Sequence, residues 1–366
     1  MKSIKFVCSD INQKEFTTAV RKNVNDYFRE KGISTKGNIA TAIQTISMVV
    51  LYILPFILLL TVPMSGWVAI AMTVLIGIGM AGIGMCVMHD ASHGSFSGKE
   101  WINNILSGTM YLLGSNVFNW KIQHNVLHHA YTNIEGYDTD IESRGPLRLS
   151  EHAPLKKIHK YQHFHAFFFY GLLTLAKLVK DFTQLAEFNK AGLTKKYNLN
   201  PVREYIKMVS VKILYLAVVI GLPLILTNYT WGEVLIGFFV MHFVGGVILS
   251  TIFQMAHVVS GTSQIIANEE GVIESEWAVH ELETTADFAR NNLFLNWYIG
   301  GLNFQIEHHL FPHICHIHYR KIAPIVERTA NEYGFKYNLK KSFTSALFSH
   351  LRRLKELGKQ PVNSIH

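Results

Sequence analysis

Histidines supply the chemistry that stands out in this chain. There are nineteen, and three short stretches set them at metal-ligand spacing. In Met88-His89-Asp90-Ala91-Ser92-His93 the i, i+4 interval places both imidazoles on one side of a helix, as a shared metal ion requires. The second stretch, Trp120-Lys121-Ile122-Gln123-His124-Asn125-Val126-Leu127-His128-His129, repeats that interval and adds a neighbour at i+5. Adjacent helical residues diverge by about 100°, so one of His128 and His129 can serve each of two metals. The third, Gln305-Ile306-Glu307-His308-His309, carries another tandem pair. His257, in Gln254-Met255-Ala256-His257, stands alone. The other histidines read as bystanders. His152, His159, His163 and His165 fall in a wet segment skirting a membrane, and His280, His350 and His366 are expected in solvent. His313, His316 and His318, with Cys315, alternate too tightly for a tetrahedral site built from one segment and are expected at most to donate to ligands.

Something must bring these stretches together, and the charge map shows what. Hydrophobic residues make up 49% of the 366 residues and charged ones only 16%. No Lys or Arg occurs between Lys36 and Lys99, or between Lys212 and Arg290. A bilayer core needs roughly 20 apolar residues in a helix. The two blocks supply four such runs, Ile39–Val62, Trp67–Met88, Val209–Thr227 and Glu233–Met255. Polar turns, Pro63-Met64-Ser65-Gly66 and Asn228-Tyr229-Thr230-Trp231-Gly232, pair them into two hairpins. All 34 basic residues lie outside these turns, so the positive-inside rule puts both termini and the central loop in the cytoplasm. Every histidine stretch then falls on that face, with His89 and His257 where the second and fourth spans end. Ile102–Phe118 and Phe164–Leu178 are apolar but short, and spanning by either one alone would reverse the topology, so both are expected at the interface. The formal net charge of +8 belongs to this cytosolic face and not to nucleic-acid binding. Three cysteines without disulfide spacing fit a reducing compartment, and Met1 to Lys36 lacks the apolar core of a signal peptide. The chain reads as one domain: an arm (1–38), a hairpin (39–88), a cytosolic loop (89–208), a second hairpin (209–255) and a cytosolic segment (256–366). His242 lies in mid-span, where ionisable groups tend to be functional.

The run from Trp297 to Pro312, containing Asn303-Phe304-Gln305-Ile306-Glu307-His308-His309, resembles the third histidine box of the membrane fatty acid desaturases, in the front-end branch whose box begins with glutamine. His89-Asp90-x-x-His93 resembles the first box and His124-x-x-x-His128-His129 the second. The resemblance covers about Ala81 to Pro324. It implies an all-α integral-membrane fold of four transmembrane helices in two hairpins, capped by a cytosolic helical domain holding a non-haem di-iron site. By motif position it implies iron ligation by His89, His93, His124, His128, His129, His308 and His309, with His257 where the family carries a further ligand. Gln305 replaces a histidine of other branches. One iron then either loses a protein ligand or keeps it through the amide or a water. Asp90 and Glu307 are the acids expected to orient ligand rings.

The implied reaction inserts a double bond into an acyl chain with dioxygen and two electrons. It requires a narrow apolar tunnel past the irons, for which Phe239, His242, Gly245 and Gly246 are candidate walls; ordinary helix packing is the alternative. The basic face suits the phosphates of an acyl-CoA, the expected substrate, although contact with lipid headgroups leaves the same signature. The His-Pro-Gly-Gly signature of a fused cytochrome-type domain is missing from the sequence. Electrons are therefore expected from a separate ferredoxin or small cytochrome. A membrane hydroxylase shares the same boxes, and a metal transporter is the rival from another class.

Overall fold

Two solvents divide this chain, and its helices sort accordingly. Residues 4–141 and 145–359 are described in the computed structural model; His366 lies outside them. A polar helix α1 (Ile11–Lys31) precedes the apolar α2 (Ile39–Thr61) and α3 (Gly66–Ser92). Next come α4 (Glu100–Ser107) and α5 (Val117–Lys121), which continues as a π-helical segment, Ile122–His128. After α6 (Gln162–Gly171) and α7 (Leu173–Lys190) come the apolar α8 (Pro201–Leu226) and α9 (Trp231–His257). The remainder is α10 (Trp277–Thr284), α11 (Leu293–Tyr298), α12 (Gln305–Leu310), α13 (Tyr319–Glu332) and α14 (Phe343–Leu357). The named strands among the described residues are two parallel two-residue pairs, β1 (Lys5–Phe6) with β2 (Val272–Ile273) and β3 (Asp287–Phe288) with β4 (Leu339–Lys340).

Four helices, α2, α3, α8 and α9, are long and apolar enough to cross a membrane. Two run further than their hydropathy suggests. α8 begins at Pro201 because Asn200 caps it and proline suits the first helical position, which adds Arg203, Glu204 and Lys207 ahead of the apolar run; Lys212, inside that run, is neutralised at 2.9 Å by Asp181 of α7. α3 continues to Ser92, so His89 sits inside it. α3 packs between α2 and α9. Glycine allows this approach: a Cβ on Gly79 would lie 2.6 Å from the Tyr52 backbone nitrogen, and one on Gly77 2.6 Å from the Met241 carbonyl.

Neither short apolar stretch forms a membrane-length helix. The first breaks into α4, a 3-10 segment (Gly108–Leu113) and α5, with a left-handed turn at Gly114, and the second straddles the α6–α7 junction. The N-terminal segment is more than a charged arm. Phe16, Val20, Val24 and Phe28 recur every four residues, the helical period, and bury against Ile322, Val326 and Ala330 of α13. Several histidines expected in water are interior. His280 and His350 have no exposure and His159 almost none. Each pairs one ring nitrogen with a backbone carbonyl, of Thr132, Val258 and Gly145 respectively, which offsets part of the cost of burying a polar ring.

Candidate metal centre

The eight expected ligands converge from α3, the π-helical end of α5, the end of α9, and α12. Their nitrogens form two adjoining groups. His89, His93, His124 and His308 make one, and His128, His257 and His309 the other; within each, candidate ligand atoms lie within 4.8 Å of one another. His129 stands between them, grouping with both His308 and His309. Gln305 joins the second group, its amide 3.1 Å from His257 Nε2 and 3.4 Å from His309 Nε2.

The second box departs from its i, i+4 reading. Its backbone is π-helical, with the His129 amide donating to the His124 carbonyl at 3.0 Å. Residues five apart therefore superpose: His129 Nε2 lies 3.3 Å from His124 Nε2, while His128 turns to the second group. A π-helical segment in α3, Ile83–Met88, likewise precedes His89. Such widened turns recur at functional sites because they rotate side chains out of the ordinary register.

The donor set fits metal ions. His124 Nε2 faces His89 Nε2 at 3.0 Å and His129 Nε2 at 3.3 Å, and one imidazole nitrogen cannot donate to both. His93 Nε2, His128 Nε2, His308 Nε2 and Gln305 Oε1 are buried without a hydrogen-bond partner. In a native interior such groups call for an ion or water. Burial, with the neighbouring imidazoles adding to it, pushes the pKa values of His93, His124, His129, His308 and His309 well below the ordinary histidine range. They are neutral lone-pair donors, the form that binds metal. His128 moves the other way. Burial opposes its charge, but Asp138, Asp140 and Glu281 outweigh burial and raise it to about 9.

Those acids are the part that sequence reasoning missed. Asp138 Oδ2 accepts from His128 Nδ1 at 3.0 Å and from the Asn133 amide at 2.9 Å. Glu281 Oε2 lies 2.7 Å from His309 Nδ1, and Tyr319 OH 3.2 Å from His308 Nδ1. In each case the outer nitrogen is held and Nε2 is left to face inward, which fixes the tautomer a metal needs. Burial pushes the Glu281 carboxyl well above the carboxylate range; a cation in the cavity would favour its ionised form. Asp140 stands 3.7 Å from His128 Nδ1 and 4.0 Å from His124 Nδ1. It accepts from Gln123, which in turn takes a hydrogen bond from the half-buried Lys177. The one local signal for these residues was the Asp-x-Asp pattern ten residues after the second box.

Asp90 and Glu307, expected in that role, reach no ring of the centre. Asp90 Oδ2 binds His316 Nδ1 at 2.6 Å and the Cys315 thiol at 3.1 Å, tying the segment after α12 to the end of α3. Glu307 projects from α12 away from its neighbours and accepts from Tyr337 OH at 2.8 Å, which also meets Asp287 at 2.6 Å. Burial raises Asp287 to about 6 and lifts Glu307 further. One phenol proton cannot serve both oxygens, so this pair carries a carboxyl proton.

The candidate tunnel residues separate as well. Phe239 is 42% exposed on the outer surface of α9. Gly245 and Gly246 are close-packing positions, where a Cβ would fall 2.9 Å from Met80 Sδ and 2.6 Å from the Gly171 carbonyl. His242 is spent on neighbouring helices, with Tyr215 OH at 2.8 Å and Thr174 Oγ1 at 3.0 Å. The apolar groups that do reach the centre are Trp120, stacked on His124 at 4.5 Å between centroids, and Phe253, 5.8 Å from His124 and 6.4 Å from His89.

Residues 65–341 match the family described as fatty acid desaturase. The chain belongs to that family. Its members are oxygen-dependent oxidoreductases of fatty acyl chains, so this desaturase carries its histidine groups where that chemistry needs a metal. Among its relatives is the sn-1 linoleoyl-lipid 6-desaturase of Synechocystis sp., 34% identical over 95% of this chain and 96% of that protein. The protein of the same name from Arthrospira platensis is 31% identical over 94% and 93%. The acyl-lipid (8-3)-desaturase of Physcomitrium patens is 31% identical over 96% of this chain and 73% of its own length.

Proposed function

We propose that this desaturase inserts a cis double bond, on the carboxyl side of an existing one, into an acyl chain esterified to a membrane lipid. This replaces the acyl-CoA expected from the basic surface. It draws on the three relatives, each named for a lipid-linked substrate. The observation that carries the reading is the convergence of imidazole lone pairs into two adjoining groups beside the half-buried rings of Trp120 and Phe253.

His89, His93, His124 and His308 would hold one iron, and His128, His257 and His309 the other, with the Gln305 side-chain amide beside the second and His129 between them. Iron with dioxygen supplies the oxidant that no side chain can, because an unactivated methylene resists acid–base chemistry. The protein's own contribution is placement. Trp120 and Phe253 border the histidines with apolar surface, which lets a methylene pair approach and keeps water away. Asp138 and Glu281 hold the outer protons of His128 and His309, so the inward nitrogens keep their direction. The reaction balances as –CH2–CH2– plus O2, two electrons and two protons, giving –CH=CH– and two waters. A separate ferredoxin or small cytochrome provides the electrons. The absence of Lys and Arg between 37 and 98 and between 213 and 289 supports a topology of two hairpins, with the histidine-bearing face and both termini in the cytoplasm.

The test is expression in a host that makes linoleate but no further unsaturated products, followed by mass-spectrometric location of new double bonds in each lipid class. A new bond appearing first in intact membrane lipids is expected. A hydroxylated product, or product confined to the acyl-CoA pool, would overturn this reading.

A further inference from the structure

A second polar concavity lies away from the histidines. It is a cleft of about 500 Å3 whose lining includes Arg290, Arg320, Lys341 and Phe304. Arg320 and Lys341 are exposed and have no ion-pair partner among the described residues. Arg290 is held rigidly, its Nη2 2.7 Å from Glu327 and its guanidinium 5.2 Å over the Tyr337 ring. Its Nη1 is buried with no acceptor. Arg290 also faces Asp287 and Glu307, the pair that shares a proton, so Arg320 and Lys341 are the cations left over, on the open side of the cleft.

The neighbourhood indicates what these two cations meet. Three residues after Arg290, α11 presents Leu293, Phe294 and Trp297, which are 58%, 75% and 41% exposed. α11 is not lifted into water. The Trp297 carbonyl accepts from Gln44 of α2, the Tyr298 hydroxyl donates to Ile78 of α3 at 2.9 Å, and the Cys86 thiol donates to the Tyr298 carbonyl at 3.0 Å. These contacts set α11 against the flanks of two membrane-length helices, inside their apolar length. An exposed Leu-Phe-Trp surface there meets lipid, which puts the cations just before it at headgroup level, where phosphates attract Lys and Arg.

We infer that Arg290, Arg320 and Lys341 form a binding site for the phosphate of an anionic membrane lipid whose acyl chains lie along Leu293, Phe294 and Trp297. The site rests on the membrane-lipid reading above and extends it from the acyl chain to the headgroup. Arginine suits the role because its planar fork meets phosphate oxygens in pairs.

The test uses the full chain in detergent micelles, with phosphatidylglycerol and phosphatidylcholine of identical acyl chains as probes and bound lipid read by native mass spectrometry. Wild-type protein is expected to hold phosphatidylglycerol saturably. The double variant Arg320→Gln/Lys341→Gln should bind it about thirtyfold more weakly, from two surface cations lost, with phosphatidylcholine unchanged. Arg320→Lys/Lys341→Arg should restore most of the binding. Equal phosphatidylglycerol binding by wild type and the double variant would overturn the site, as would an equal loss for both lipids. Displacement by coenzyme A that depends on the same two residues would transfer the cleft to a nucleotide phosphate. Unchanged lipid binding with slower reduction by ferredoxin would transfer it to the electron carrier. Binding is measured again in His128→Ala, where no chemistry is expected. Retention there that depends on Arg320 and Lys341, alongside a wild type without unsaturated product, would sustain this site while the desaturase substrate reading fails.

Discussion

The two histidine groups are built from the same residue type and supported in different ways. Behind the group of His128, His257 and His309 stand Asp138, Asp140 and Glu281. Behind His89, His93, His124 and His308, the hydrogen bond at an outer ring nitrogen is neutral, between His308 Nδ1 and the Tyr319 hydroxyl; Asp140 stands back at 4.0 Å from His124 Nδ1, and rings pack on Trp120 and Phe253 instead. One half of the centre is set by charge and the other by packing against apolar walls. Countercharge stabilises buried cations, whereas an apolar flank is what a hydrocarbon substrate can approach.

The largest effect expected is from His128→Ala, which removes a ligand that only the acid-backed group uses. Product should disappear and iron per chain should fall, with membrane insertion intact; full activity would break the ligand assignment. Next come Asp138→Asn and Glu281→Gln. Losing such supporting groups lowers activity or metal affinity by about ten- to a hundredfold, read as turnover and bound iron. Tyr319→Phe tests the opposite side and should cost only about fivefold, the scale of one neutral hydrogen bond. If Tyr319→Phe proved as damaging as Glu281→Gln, the distinction between charged and neutral support would fail. The smallest change in activity is expected from Asp90→Asn, although Asp90 directly follows a ligand. Its loss should lower thermal stability by about 1–3 kcal/mol through His316 and Cys315, with turnover per folded molecule retained.

Much of this molecule could be read from residues in order. The apolar runs located all four membrane-length helices, because hydropathy is local and the bilayer demands a minimum length, although α8 begins at Pro201, eight residues before its apolar run. The three boxes and His257 identified all eight converging imidazoles, because helical spacing brings them together in pairs. The partition of the second box was not legible: a π-helical turn at Ile122–His128 pairs His124 with His129, and no local signal announced it. Asp138 and Glu281 were overlooked while Asp90 and Glu307 were favoured, because adjacency to a ligand in sequence does not fix the direction in which a carboxylate projects.

By itself, then, the order of residues determined the solvent each segment prefers, the length of the spanning helices and the identity of the metal-seeking side chains. Only the tertiary structure decided which imidazoles group together, which acids stand behind them, and that Arg290, Arg320 and Lys341 line one cleft. The reason is physical. Hydropathy and helical period act over one turn or one span, whereas hydrogen-bond direction and charge pairing are settled between segments as far apart as His128 and Glu281, where only the packed chain brings donor to acceptor.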